Sequence, residues 1–140
     1  MTVRLSEVEV GTEIPLQSFV IRREDLIRYA GASGDFNVIH WNERVARDVG
    51  LPDVIAHGML TMALTGRTVT DWIGDPGALL EYGVRFTRPV SVPDDGVGAT
   101  IEVTGTVTSV SEDGTVRLSL TATHAGATVL GKAQAVVRLA

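Results

Sequence analysis

From Ala99 to Thr108 the chain alternates in character: Ala99, Ile101, Val103 and Val107 fall on one side, Thr100, Glu102, Thr104, Thr106 and Thr108 on the other. A period of two predicts a strand with one buried face, and threonine suits the face left to solvent. Ser111 to Gly114 supplies an Asp113-Gly114 turn, after which Val116, Leu118, Leu120 and Ala122 resume the alternation as the return strand of a hairpin. Ala125-Gly126 is the next turn, and Ala133, Ala135, Val137 and Leu139 carry the pattern to the C-terminus. Leu80, Tyr82, Val84 and Phe86 show it before Pro89. Connections this short predict that these four strands form an antiparallel meander, because parallel crossovers need a dozen or more residues each.

The first half reads differently. One strand-like segment runs from Ile14 to Ile21, and helical spacing follows through Leu26, Ile27 and Ala30, with Gly31 and Gly34 as stop signals. Asn42 suits the cap of a second short helix with Val45, Ala46 and Val49 on its inner side, ended by Gly50 and Leu51-Pro52. A third helix is predicted over His57 to Ile73; Met59, Leu60, Met62, Ala63 and Leu64 leave no polar stripe across its first two turns, so it is expected to be buried on all sides. A wholly buried helix beside a one-faced antiparallel sheet predicts an α+β fold in which the sheet wraps around the helix. The 140 residues fit one domain spanning 1–140, without repeats or linkers.

Composition narrows the function classes. Apolar residues make up 44% and charged residues 21%, the balance of a chain that folds around a core. Twelve basic against seventeen acidic residues give 12 − 17 = −5, which argues against nucleic acid as a partner. The longest stretch free of charged residues, Leu118 to Gly131, is fourteen residues with His124 inside it, short of the roughly 20 that a membrane helix needs. Met1 to Glu9 carries Glu7 and Glu9 and lacks the apolar run of a secretory signal, so a soluble cytoplasmic protein is expected. The absence of cysteine excludes disulfides, thiolate ligands and a cysteine nucleophile.

Two segments carry candidate chemistry. Asp35 and His40 lie five apart in a segment that follows Gly31 and Gly34, and a loop that folds back there would bring one acid and one base together. Histidine titrates nearest neutrality, and a carboxyl group in a partly apolar cleft can be tuned to hold a proton, so the pair suits the movement of two protons. Asn37 adds a neutral donor and acceptor. The same residue types also serve as turn caps and as a satisfied core histidine, and the residues alone leave both readings open. Farther on, Ala56-His57-Gly58-Met59 opens the third helix, where the first-turn N–H groups are unpaired and the helix dipole favours negative charge. Gly58 leaves that end open to a carbonyl oxygen that gains charge, or else it serves only close packing.

The run Tyr29, Ser33, Gly34, Asp35, Asn37, Ile39, His40 and Ala46 resembles the hydratase 2 signature of the MaoC-like (3R)-hydroxyacyl hydratases and dehydratases. Ala56-His57-Gly58-Met59-Leu60 resembles their downstream motif, and Tyr82-Val84-Arg85-Phe86 before Pro89-Val90 resembles a strand beyond their central helix. Trp41, Trp72 and Gly74-Asp75-Pro76-Gly77 look most like the catalytic β subunit of the actinobacterial type II fatty-acid-synthase dehydratase. The resemblance covers nearly the whole chain and implies the hot-dog fold, with the third helix at its centre. Two positions depart from the pattern. Val38 stands where the signature usually has proline, which removes a fixed φ and is expected to loosen the loop. Gly66 stands eight residues after Gly58, where some hydratases carry a serine that supports the aspartate, with Thr61 or Thr65 as candidate substitutes.

The resemblance implies catalytic roles for His40, as the base that takes the α proton of a (3R)-3-hydroxyacyl thioester, and for Asp35, as the acid that protonates the departing hydroxyl. It implies substrate-binding roles for Gly58, through its N–H, and for Asn37, His57 and Met59. No cofactor is implied and no metal is needed: His40, His57 and His124 make no ligand spacing. A hot-dog thioesterase, which in many families uses a carboxylate on the central helix, is the rival enzyme, but this helix has none before Asp71. A non-catalytic acyl-thioester-binding subunit is the alternative of another class. The implied partners are an acyl carrier protein or coenzyme A thioester and a second hot-dog subunit, in a homodimer or heterodimer. Arg85 and Arg88 form a candidate docking patch for an acidic carrier, or simply the solvated face of a strand.

Overall fold

The computed structural model describes residues 2–140. Strand β1 (Glu13–Ile21) leads into helix α1 (Arg23–Ser33), a short helix α2 (Glu43–Asp48) and the long helix α3 (Gly58–Ile73). Strands β2 (Leu79–Phe86), β3 (Ala99–Val110), β4 (Thr115–His124), β5 (Ala127–Thr128) and β6 (Leu130–Arg138) follow. They form one antiparallel sheet in the order β1-β3-β4-β6-β2, with β5 paired to β4. The sheet curls around α3, which touches β1, β2, β3 and β6, the expected hot-dog arrangement. Among the described residues no helix is long and apolar enough to cross a membrane.

The alternation predicted for the sheet is observed in β3, β4 and β6, whereas in β2, whose register shifts twice, Leu80 and Phe86 are exposed and only Tyr82 and Val84 keep it. Ile101, Val103, Val107, Val116, Leu118 and Val137 are buried and join Val69 and Ile73 of α3 in one apolar core, each side chain contributing roughly 1.5 to 3 kcal/mol. The turn at Ala125-Gly126 has both residues at positive φ, 50° and 77°, the conformation that matches the twist of a tight hairpin.

Four expectations are corrected. The meander holds for β3, β4 and β6 only: β2 pairs with β6 at the opposite edge. Its link to β3 spans 87–98, long enough to cross the fold, and Pro89 and Pro93 lie in it. Helix α3 is not buried all round, because one sheet covers one side of a helix; Thr61, Thr65, Gly66, Thr68, Val69 and Ile73 face inward while Met59 is 56% exposed. Helix α1 runs through Gly31 and ends at Gly34, whose φ of 78° makes it the left-handed cap. Asn42 does cap α2, its Oδ1 accepting the Val45 N–H, and Ala46 is buried, but Val49 lies outside the helix and exposed.

Strand β2 and helix α3 fit through two aromatic-on-glycine contacts. The Phe86 ring lies over Gly58 and the Tyr82 ring over Gly66, where an added Cβ would sit 3.0 Å and 2.8 Å from ring carbons. Eight helical residues advance about 12 Å, and four strand residues about 13 Å, so the two pairings are in step. The Tyr82 hydroxyl donates to the Met62 carbonyl at 2.6 Å, and burial pushes its pKa up to about 12.

Candidate active site

Helix α1 stops at Gly34, and the chain then folds back through a ladder of short-range hydrogen bonds. The Asp35 N–H donates to Ser33 Oγ (3.2 Å), the Asn37 N–H to Asp35 Oδ1 (3.1 Å) and the Ile39 N–H to Asn37 Oδ1 (3.3 Å). A 3₁₀ turn, Val38–His40, follows, and the Trp41 indole N–H closes the loop on the Phe36 carbonyl at 3.0 Å. Val38 therefore does not leave the segment loose. The Val38 carbonyl accepts the Asn42 N–H at 2.8 Å, so the turn that proline would favour is held by backbone bonds instead.

This loop brings Asp35 and His40 together, as the sequence predicts. His40 is 7% exposed and its Nδ1 lies 2.7 Å from the Ile55 carbonyl. A carbonyl only accepts, so Nδ1 carries the proton and Nε2 presents its lone pair. That lone pair faces Asp35 Oδ2 at 3.9 Å, too far for a direct hydrogen bond. Acid and base thus stand side by side and free of each other, each open to a separate proton. The Asp35 side chain is 52% exposed in the single chain.

Both groups line a cavity of about 440 Å³ with Ile55, Gly58, Met59, Phe86, Arg88 and Leu130 among its walls. Gly58 is the first residue of α3, whose N-cap is His57; the Leu60 and Thr61 N–H groups return to the His57 carbonyl, and the Gly58 N–H lies before them with the helix dipole behind it. Gly58 and Met59 line the cavity as expected. Asn37 does not line it: its Oδ1 caps the 3₁₀ turn and its N–H holds Asp35. His57 touches the cavity but is 1% exposed, and it lies against protein groups on several sides. Its Nε2 donates to the Asp35 carbonyl at 3.0 Å, and its ring stacks on His40 with centroids 3.8 Å apart and planes 21° apart. Burial holds the His57 imidazole below the ordinary histidine range, the hydrogen bond to the Asp35 carbonyl opposing this and the nearby His40 adding to it.

The histidines are less scattered than their spacing suggests. His124 bonds the Thr100 carbonyl through Nδ1 at 2.9 Å, but Asp35, His40 and His57 bring ligand-type atoms within 4.8 Å of one another. His40 Nδ1 and His57 Nε2 are spent on carbonyls, which leaves His40 Nε2 and the Asp35 carboxylate as facing donors.

Thr65 does not take the place of the missing serine, since its hydroxyl bonds the Thr61 carbonyl of its own helix at 2.9 Å. Thr61 lines the cavity, and the main-chain N–H of Asn37 holds Asp35 instead. The Arg85 and Arg88 pair divides: Arg88 lines the cavity, while Arg85 lines a separate groove with Arg117 and Lys132. Asp71 is exposed and pairs with Arg67 at 3.3 Å, at the far end of α3 from the cavity. The Ile55 carbonyl, the Phe86 ring and the His40–His57 stack had no signal in the sequence beyond the residues themselves.

Residues 6–125 match the family described as MaoC like domain. A 3-hydroxyacyl-thioester dehydratase X of Mycobacterium tuberculosis is 42% identical over 66 residues, 47% of this chain and 22% of that protein. An (R)-specific enoyl-CoA hydratase of Rhodospirillum rubrum is 34% identical over 111 residues, 79% of this chain and 74% of the relative. A solved MaoC-like dehydratase superposes with a TM-score of 0.95 at 42% identity, over 99% of this chain and 43% of that one. The chain thus spans less than half the length of two of these three proteins.

Proposed function

The chain belongs to the MaoC-like domain family, and on that premise we propose that it is a hydro-lyase acting on (3R)-3-hydroxyacyl thioesters, dehydrating them to enoyl thioesters and catalysing the reverse hydration. One observation carries the reading: the free Nε2 lone pair of His40 faces Asp35 Oδ2 at 3.9 Å in a cavity that also holds the head of α3. In the dehydration direction His40 Nε2 takes the α proton and Asp35 gives a proton to the leaving β-hydroxyl, so that water departs and the double bond forms. The thioester oxygen, gaining charge as the α proton leaves, takes a hydrogen bond from the Gly58 N–H, an interaction whose loss in other enzymes costs about 3 to 4 kcal/mol of barrier. Hydration runs the same path backwards. The names of the relatives support the substrate class, and the proposal puts the chain in fatty-acid elongation in the cytoplasm.

The 140 residues form one hot-dog unit in this proposal, and it works as part of a pair. Among the described residues strand β2 bonds only β6, which leaves its other edge open, and Leu80, Phe86 and Met59 stand exposed near it at 49%, 56% and 56%. A second hot-dog subunit, identical or not, covers that edge and brings its wall to the cavity. Arg88 at the cavity supplies the positive charge that an acidic carrier protein or the phosphates of coenzyme A would meet.

The test follows the absorbance of the conjugated enoyl thioester when the purified chain meets crotonyl-CoA and then a long-chain enoyl thioester. Loss of the band is expected, with Asp35→Asn and His40→Ala each at least about a hundredfold slower. Near-normal turnover in either variant would overturn the assignment. Activity that emerges only with a second hot-dog subunit points to a heteromeric dehydratase; silence both with and without one favours an acyl-thioester-binding module.

A further inference from the structure

His57 touches both halves of the proposed pair. We propose, as a deepening of the dehydratase reading on which it rests, that His57 is a positioning residue: its ring holds the base by stacking and the acid's loop by a hydrogen bond, and it does not bind substrate. The Nε2–H donates to the Asp35 carbonyl at 3.0 Å across 22 residues of chain, while the ring face lies 3.8 Å from His40. Tyr29 of α1 packs against the same ring at 4.7 Å and 58°, which keeps it from tilting away.

The other nitrogen argues that this imidazole is there for more than packing. His57 Nδ1 is buried and has no hydrogen-bond partner among the described residues. A buried unsatisfied nitrogen is a cost that a phenylalanine of similar shape avoids. The structure bears that cost where the Nε2 bond to Asp35 and the His40 stack are both made. As N-cap of α3, His57 is also tied by its main chain to the helix whose first N–H is the proposed oxyanion donor. One residue thereby references acid, base and oxyanion donor to one another. Such a group has leverage, since misplacing reacting groups by about 1 Å can cost a hundredfold in rate.

Charge fits the same role. Burial disfavours the protonated form of His57, so the ring against His40 is neutral when His40 takes up the α proton. A neutral π face accommodates the new imidazolium, whereas a second cation at 3.8 Å would oppose it.

Two variants separate the contacts. His57→Phe keeps the stack and loses the donor; His57→Gln keeps a donor and loses the stack. Each is expected to lower kcat about 10- to 100-fold with KM changed less than about threefold, in enoyl thioester hydration by chain that retains its cooperative thermal unfolding. Because His57 acts through the pair, His57→Phe should cost less than about threefold more when added to Asp35→Asn. A cost in that background equal to the cost in the parent would overturn the positioning role. So would either outcome in which both variants keep more than half of kcat or lose their activity through KM alone. An inactive parent overturns the dehydratase reading and this role with it. An active parent that depends on Asp35 and His40 but tolerates both His57 variants overturns this role alone.

Discussion

Gly66→Ala is a mutation that helix propensity and packing judge in opposite directions. In the middle of α3, alanine gains about 1 kcal/mol over glycine from helix propensity. The new Cβ, however, would lie 2.8 Å from Tyr82 Cε1 and 3.3 Å from Cδ1, closer than carbon atoms approach. The ring has little freedom to move, because its hydroxyl is bonded to the Met62 carbonyl at 2.6 Å. Relieving the clash costs about 1 to 3 kcal/mol of overpacking, and breaking the Tyr82 bond about 1 more. The balance is a loss of about 2 kcal/mol, which for a chain of this size lowers the thermal midpoint by roughly 6 °C. Thermal unfolding followed by circular dichroism measures it. The control is Tyr82→Leu, in which the ring is gone and the same Gly66→Ala change should raise the midpoint of the double variant above that of the single one. A Gly66→Ala chain as stable as the parent would refute the reasoning, since only propensity would then be acting. Serine at this position adds the same Cβ, so Gly66→Ser is expected to destabilise as well and not to restore a support for Asp35.

Further expectations follow from the same structure. The His57 imidazole is held below the ordinary histidine value of 6.5, chiefly by burial, so the folded state binds its proton less well than the unfolded chain does. Its contribution to stability is present above that value and is lost as the pH falls through the folded pKa; denaturant titrations below pH 6.5 should show a steeper decline for the parent than for His57→Phe. Tyr82 behaves in the opposite sense, because burial raises its pKa from 10.0 to about 12: the stability it contributes is intact below 10.0 and lost as the pH rises towards 12, a decline that Tyr82→Phe should lack. Arg23 ties the start of α1 to the Val92 carbonyl at 2.5 Å and to Asp53 at 2.7 Å, and Arg23→Met keeps the stem while losing both bonds. A loss of about 2 kcal/mol in urea unfolding is expected from hydrogen bonds to a charged group, and an unchanged midpoint would show that the fork is not holding these segments. Ile55→Val should leave hydration of crotonyl-CoA within about twofold of the parent, because His40 is oriented by the Ile55 main-chain carbonyl and not by its side chain.

The parts of the fold legible in the sequence are those decided by near neighbours. Val103 and Val107 announce the inner face of β3, and Asn42 caps α2 where its side chain reaches the Val45 N–H. Where β2 lies is settled by pairing between Glu81 and Val136 or Phe86 and Leu130, and no local pattern records partners so distant. Hydropathy also misjudges α3: its buried face is rich in threonine and glycine because Tyr82 and the sheet come close there, while Met59 is on the open side. A helix that is apolar all round need not be covered all round by its own chain. It marks a surface that a second subunit can cover.

The site divides along a similar line. Asp35, His40 and Gly58 are legible because their residue types suit the proposed chemistry. What aims them is largely main chain: the Ile55 carbonyl sets the His40 tautomer, the Asn37 N–H holds Asp35, and the Asp35 carbonyl receives His57. Every residue but proline offers the same N–H and carbonyl, so these contacts leave no residue-type signature. Asn37 shows how this misleads. Its position beside the acid suggests a substrate contact, but its Oδ1 caps a turn and its main-chain N–H does the work at Asp35. His57 is the converse case, a residue whose titratable side chain suggests contact with substrate while its bonds and its stacking run to the loop and the ring behind the reacting groups. In the proposed reaction the side chains of this loop perform the chemistry and the backbone, with one buried ring, sets its geometry. Substitutions other than at Asp35 and His40 that preserve the backbone path should therefore be tolerated even beside the cavity, and those that disturb the His57 ring should not.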